Sequence, residues 1–346
     1  MKTWEERISE QYFKPNFIQK TRRLSVELLD SFNMPNFGQD RFLNRILYVL
    51  SKLPNSGRSK LRHVLTRLYP TPVLQNSPIE IEIFIFTAEK DLEILELSTV
   101  AAIKSCQNRI ISLTVVAPSS VEHDVNEVFR KMSRDVDLCY LSDEKLLKRF
   151  GLENFNFIRP NIKMEVLKVL AVLGCDSEAA LLIDGDTILL KERKWITDEK
   201  QIVLVAQEYT PSHINFNRKH MDLSQLTGLG FVTHHQVVRR SFLEELVSEK
   251  GGLHHFVNCF ESAAAEFYLR SGPDFPSEWQ LFGDFLINRY PESAVLSSFK
   301  NLGMSRKNVG YFSKNIDRSA LAEILRLQKA APNLASVSFH GYKDKE

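Results

Sequence analysis

Two carboxylates separated by a glycine, Asp184-Gly185-Asp186, close the apolar run Leu181-Leu182-Ile183 and precede Thr187. A hydrophobic strand ending here delivers both carboxylates at its carboxyl end. Hard cations such as Mg²⁺ and Mn²⁺ are bound through few carboxylates together with substrate phosphate oxygens. The glycine lets the backbone turn tightly and leaves space beside it. An ordinary strand-end turn uses the same residue types, so the chemistry rests on companions. Phe339-His340-Gly341-Tyr342-Lys343 sets an imidazole suited to Mn²⁺ near an ammonium able to neutralise phosphate charge. Ser277-Glu278-Trp279-Gln280-Leu281-Phe282-Gly283-Asp284-Phe285 opens a helix after Pro276. Ser277 is its expected N-cap, with Glu278 in the first turn. Leu229 to Gln236 reads as a strand ending in His234 and His235, ahead of a helix over 237–247. Lys168 lies on the helix that precedes the Asp-Gly-Asp strand.

The elements that must position these groups alternate. Strands are expected over 79–87, 110–117, 136–141 and 179–183, with 201–207 continuing the sheet and a last one over 337–339. Helices are expected over 91–105, 120–133, 143–150 and 162–173. Strand–helix alternation with near-continuous apolar strands predicts an α/β fold, a mostly parallel, Rossmann-like sheet with helices on both faces. Ligands collect beyond the carboxyl ends of such strands. Beyond residue 208 the alternation weakens, which suggests inserted loops around a binding site.

Two enzyme classes use an Asp-x-Asp strand end: GT-A glycosyltransferases and haloacid-dehalogenase-like phosphatases. The phosphatase element follows the first strand of its fold, whereas three strands precede Asp184 here, and a second acidic pair is missing near Asp284. With its companions, the segment resembles a bacterial family of GT-A glycosyltransferases over roughly residues 80–343. Where that family carries paired Gln ahead of the helix Lys, this chain has Met164-Glu165. The resemblance implies a GT-A-like fold and a metal-dependent glycosyltransferase of the hexosyltransferase type. Its donor would be a nucleotide-diphospho-sugar and its acceptor a glycan or lipid-linked sugar. The same resemblance implies Mn²⁺ or Mg²⁺ held by Asp184, Asp186 and His340. Donor contacts would come from Thr87, Asp91, Lys168, Asp184 and Lys343, an acceptor contact from His235, and the base of an inverting reaction from Glu278.

Of the 346 residues, 43% are apolar and 10% aromatic, enough for a large core and unlike a disordered chain. Net charge is +2, unevenly placed: residues 1–75 carry 13 Lys or Arg against 6 Asp or Glu. Between 41 and 67 seven basic residues face no acid, interleaved with apolar residues at helical spacing. A basic helical extension over 1–75 is therefore expected beside a 76–346 catalytic domain. Its 41–68 stretch suits either an anionic membrane surface or a helical hairpin with solvated charges. Nucleic acid is not expected as a partner, since the bulk of the chain is acidic. Four dispersed cysteines, a charged start and no run of 18 apolar residues predict a cytoplasmic protein, peripheral to the membrane at most.

Overall fold

The computed structural model describes Leu74 and residues 79–132, 136–206, 208–223, 229–305, 320–330 and 334–340. The basic 41–68 stretch and Lys343 lie outside them, as do the side chains of Ser305, Leu321, Ala330 and His340.

The central sheet is built from β1 (Glu80–Phe86), β2 (Arg109–Ala117), β3 (Asp137–Ser142), β4 (Ala179–Asp184) and β7 (His235–Arg239), in the order β3-β2-β1-β4-β7. The first four strands run parallel, and β7 pairs antiparallel with β4. The fold is α/β with a mostly parallel sheet. Strand β1 shows why it forms a buried centre. Ile81, Ile83 and Ile85 face one layer while Phe84 and Phe86 face the other, the two-residue period of a strand covered on both sides. Glu82 breaks the apolar run but is satisfied, since its Oε1 accepts the amides of Asp176 (2.6 Å) and Ser177 (2.8 Å).

On the Ile face lie α1 (Leu92–Ser105) and α2 (Glu122–Arg130), after short 3-10 turns at Glu89–Asp91 and Ser119–Val121. On the Phe face lie α3 (Asp143–Arg149) and α4 (Pro160–Gly174), with Pro160 in the first turn of α4, where its missing N–H costs nothing. A three-stranded sheet joins β5 (Thr187–Leu189), β10 (Ser336–His340) and β9 (Asn301–Ser305). A pair joins β6 (Gln201–Val205) and β8 (Ala294–Ser298).

One expectation is corrected: residues 201–205 do not continue the central sheet but pair with β8. Beyond 208 the described residues include the helices α5 (Pro211–His220), α6 (Arg240–Glu249), α7 (Leu253–Arg270), α8 (Glu278–Arg289) and α9 (Ala320–Ala330). The spacing Phe256, Val257, Phe260, Ala263 and Ala264 supplies the buried stripe of α7. Helix α8 lies close on Phe231 because Gly283 has no side chain; a Cβ there would stand 2.2 Å from that ring. Ser277 sits at the N-cap of α8, yet its hydroxyl makes no capping bond.

Within α8, Asp284 is buried at 4% exposure. Burial pushes its carboxyl up to about 7, against hydrogen bonds from Asn217 (2.8 Å) and Gln280. A carboxyl raised in the folded state above its unfolded value near 4 stabilises the fold in its protonated form, so its contribution fades as pH rises through about 7. The amide introduced by Asp284→Asn would meet Asn217 Oδ1, which has no hydrogen-bond partner. We expect the stability of that variant relative to the parent to rise between pH 4 and 7, with a limiting slope of about 1.4 kcal/mol per pH unit. Urea midpoints at pH 5 and pH 8 check it; equal differences at both would contradict the assignment.

Candidate active site

Strand β4 ends where sequence reading placed it, and its turn docks on the end of β1. Gly185 N–H donates to the Phe86 carbonyl at 2.7 Å, and Asp184 N–H to the His234 carbonyl at 2.8 Å. A Cβ on Gly185 would stand 2.8 Å from Phe86 O and from Thr87 Oγ1. Glycine is what allows the turn to sit on β1. Thr87 supports this contact and is fully buried, and Asp91 is 7% exposed. The Thr87 side chain packs wholly beneath the turn.

Thr187 follows the turn, its Oγ1 bonded to Ser338 Oγ (2.9 Å) and donating to Asp186 Oδ1 (3.3 Å). Phe339 N–H donates to the Asp186 carbonyl at 3.0 Å. Strand β10 thus brings the backbone of His340 next to the Asp-Gly-Asp turn. The position of Lys343, expected on the diphosphate, falls outside the described residues.

The centre of the site is a buried ionic group. Lys168 is 4% exposed; its Nζ lies 2.6 Å from Asp184 Oδ1 and 2.5 Å from Glu278 Oε1. The ammonium also lies 4.2 Å from the centre of the Trp279 ring, a cation–π contact. His234 Nδ1 stands 3.0 Å from Asp184 Oδ2. Burial alone would push the Asp184 carboxyl up, but Lys168 and His234 hold it well below the usual carboxylate range. Burial would likewise lower Lys168, and the two carboxylates outweigh it and raise the ammonium. His234 is opposed by burial and raised by Asp184, which favours its charged form.

Sequence reading chose Lys168, Asp184 and Glu278 separately; the structure brings them together. Lys168 is engaged with two carboxylates. Glu278, whose side chain is 2% exposed, is the counter-charge of Lys168.

His235 lies in the core. The strand expected over 229–236 begins only at His235, and its residues through Arg239 form β7 where a helix was expected. In that register His235 points into the core at 1% exposure, its ring edge-on to Trp195 and Phe299, both at 5.5 Å. Burial, then Arg193, drives its imidazole well below the ordinary value. His234, held at φ 58°, is the histidine at the turn.

Glu165 was missed. It sits three residues before Lys168 on α4, the spacing that puts two side chains on one helix face. Its Oε2 is buried without a hydrogen-bond partner. Burial, then the charge of Glu278, raises its carboxyl well above the ordinary value, against the pull of Lys168. The signal was the departure at Met164-Glu165 itself.

Among the described residues no group of three or more His, Cys, Asp or Glu side chains is placed to hold a metal ion. The pair Asp184 and Asp186 supplies oxygen donors of the right hardness. Both Asp184 oxygens are engaged, yet a carboxylate offers about four lone-pair sites, so a cation can share it. No described helix is long and apolar enough to cross a membrane.

No protein family matches the chain, and no curated protein does. Among solved structures, it is similar to mouse xyloside xylosyltransferase 1 in its apo form, with 9% identity and a TM-score of 0.43 over 77% of this chain and 99% of that one. It is similar to the galactosyltransferase LgtC in complex with donor and acceptor sugar analogues, with 10% identity and a TM-score of 0.40 over 75% and 87%. Similarity to the bifunctional glycosyltransferase WbbM has 8% identity and a TM-score of 0.46, covering 94% of this chain but 59% of that one.

Proposed function

We propose that the chain is a metal-dependent glycosyltransferase acting on a nucleotide-diphospho-sugar, with a glycan or lipid-linked acceptor. The observation that carries this reading is the Asp184-Gly185-Asp186 turn at the carboxyl end of a central parallel strand, backed by a buried lysine and braced by β10. Asp184 and Asp186 would hold Mn²⁺ or Mg²⁺, with His340 as a third ligand. Such a cation supplies Lewis-acid stabilisation of a leaving diphosphate.

The chain's own groups prepare that position. Lys168 keeps Asp184 ionised, as a metal ligand must be. Glu278 and the Trp279 ring hold the ammonium in place. Thr187 orients Asp186 through its hydroxyl. Titration of UDP-, GDP-, CMP- and dTDP-sugars into the protein, with Mn²⁺ and then with excess EDTA, tests the reading. Metal-dependent binding of one of them is expected; phosphate release from simple esters without any such binding would instead support a phosphatase.

Replacing His340 and Lys343 together by Ala should weaken donor binding about tenfold or more while leaving the melting temperature nearly unchanged, since charge-assisted contacts contribute about 1.5–3 kcal/mol each. Unaltered affinity would remove both from the site. For the basic stretch 41–68, attachment at an anionic surface would favour a lipid-linked acceptor. The full chain should then sediment with anionic vesicles at low salt and detach as salt rises. Equal sedimentation of a 76–346 fragment would reject membrane attachment.

A further inference from the structure

Beside the site the protein exposes a cluster of aromatic rings that the ionic centre does not use. Phe267 and Tyr268, near the end of α7, are 36% and 39% exposed. With half-buried Phe275 they form a mutually packed trio. Phe267 lies 4.8 Å from Phe275, and Tyr268 meets both rings edge-on at 5.6 Å. Polar groups frame it: the Arg159 guanidinium lies 5.0 Å from the centre of the Tyr268 ring, and Asn161 Nδ2 donates to the Tyr268 hydroxyl at 3.3 Å.

The trio is held rigidly. Helix α7 ends on Ser271 in the left-handed region, and Gly272 N–H returns to the Glu266 carbonyl at 3.1 Å. Phe275 N–H donates to Ser212 O (3.1 Å), and its carbonyl meets His213 Nδ1 at 2.9 Å. Asp274, 3% exposed, is clamped by Lys219 at 2.8 Å. A surface ordered in advance loses little freedom when it binds.

Its place relative to the site follows from two elements. Phe275 is three residues ahead of Glu278, the partner of Lys168. Arg159 and Asn161 flank the start of α4, and eight residues of helix separate Pro160 from Lys168, about 12 Å along the axis. Helix α4 precedes β4 and runs against it, so its start stands beyond the strand ends, on the rim above the Asp-Gly-Asp turn.

Partly exposed aromatic rings edged by hydrogen-bonding groups match one ligand chemistry well. A pyranose ring presents C–H groups on its face and hydroxyls at its rim, and an aromatic face is electron-rich. We propose that Phe267, Tyr268 and Phe275, with Arg159 and Asn161, form a stacking platform for a sugar unit of the acceptor, outside the unit that reacts. This rests on the glycosyltransferase reading above.

The test uses the full chain on an array of immobilised oligosaccharides, neutral and uronic-acid-containing, with UDP-, GDP-, CMP- and dTDP-sugar binding in the presence of Mn²⁺ measured in parallel. Because both rings also pack in the trio, the test pair is Phe267→Leu with Tyr268→Leu, which keeps apolar bulk without an aromatic face, and circular dichroism checks that the double variant is folded. The parent should retain a set of saccharides, the double variant should bind them about tenfold or more weakly, and Tyr268→Phe, which keeps the ring, should bind like the parent. Unchanged binding by the double variant, or no saccharide held by the parent, would overturn the platform. Saccharides retained without any nucleotide-sugar binding would instead defeat the glycosyltransferase reading, and the acceptor role with it.

Discussion

Lys168→Met should destabilise the fold by about 3–5 kcal/mol at neutral pH, the usual cost of removing one partner from a buried ion group. Methionine matches the lysine stem in shape, so little of this loss is packing. What remains is Asp184 and Glu278 facing one another with His234, on the Asp184 side, as counter-charge, beside a buried Glu165 oxygen that has no partner. The stability gap between variant and parent should narrow on acidification. In the parent, Asp184 is held below its unfolded value, so its contribution is present above about pH 4 and is lost as pH falls through the folded value. Without Lys168 the crowded carboxylates favour protonation, and the variant should recover stability on acidification toward pH 5. Urea unfolding at pH 5 and pH 8 separates the two behaviours. A loss below about 1 kcal/mol at both would mean that the ion group is not the keystone of this region.

The second large effect concerns binding. Asp186→Ala should abolish metal-dependent nucleotide-sugar binding, by about a hundredfold or more, since even groups that only support a metal's ligands are worth 10–100-fold. Stability should change little, because Asp186 is half-exposed and its backbone bond to β10 survives the substitution. Calorimetric titration with Mn²⁺ present reads the affinity, and circular dichroism checks the fold. Unchanged affinity would remove Asp186 from the metal site.

How legible this was depended on range. Strands β1, β2 and β4 announced themselves because strands buried on both faces read as near-continuous apolar runs. The Asp-Gly-Asp turn was legible because its chemistry is local, three adjacent residues at a strand end. The contact of Lys168 with Glu278 was not, since it joins residues 110 apart in sequence and leaves no periodicity. Which of His234 and His235 turns inward was not legible for a similar reason. Only the antiparallel pairing of β7 with β4 sets which histidine turns inward, and a one-residue shift exchanges the faces. Helix α7 carried a readable apolar stripe, but it follows the point where strand–helix alternation lapses, and alternation was the guide there.

Glu165 illustrates a different limit. Its sequence signal was a departure from an expected pattern, which says that the position differs without saying how. Only the structure shows a carboxyl on the same helix face as Lys168 with one oxygen buried and unbonded.

The most direct test of the central claim is a thermal-shift panel of UDP-, GDP-, CMP- and dTDP-sugars against the full chain, with and without Mn²⁺. A ligand at about a hundred times its dissociation constant stabilises the folded state by about 2.7 kcal/mol, which for a protein of this size is a shift of several degrees. One nucleotide-sugar class should raise the melting temperature with Mn²⁺ present, and the rise should vanish with EDTA or in Asp186→Ala. No shift with any of them, at millimolar ligand and metal, would contradict a nucleotide-sugar site at the Asp184-Gly185-Asp186 turn.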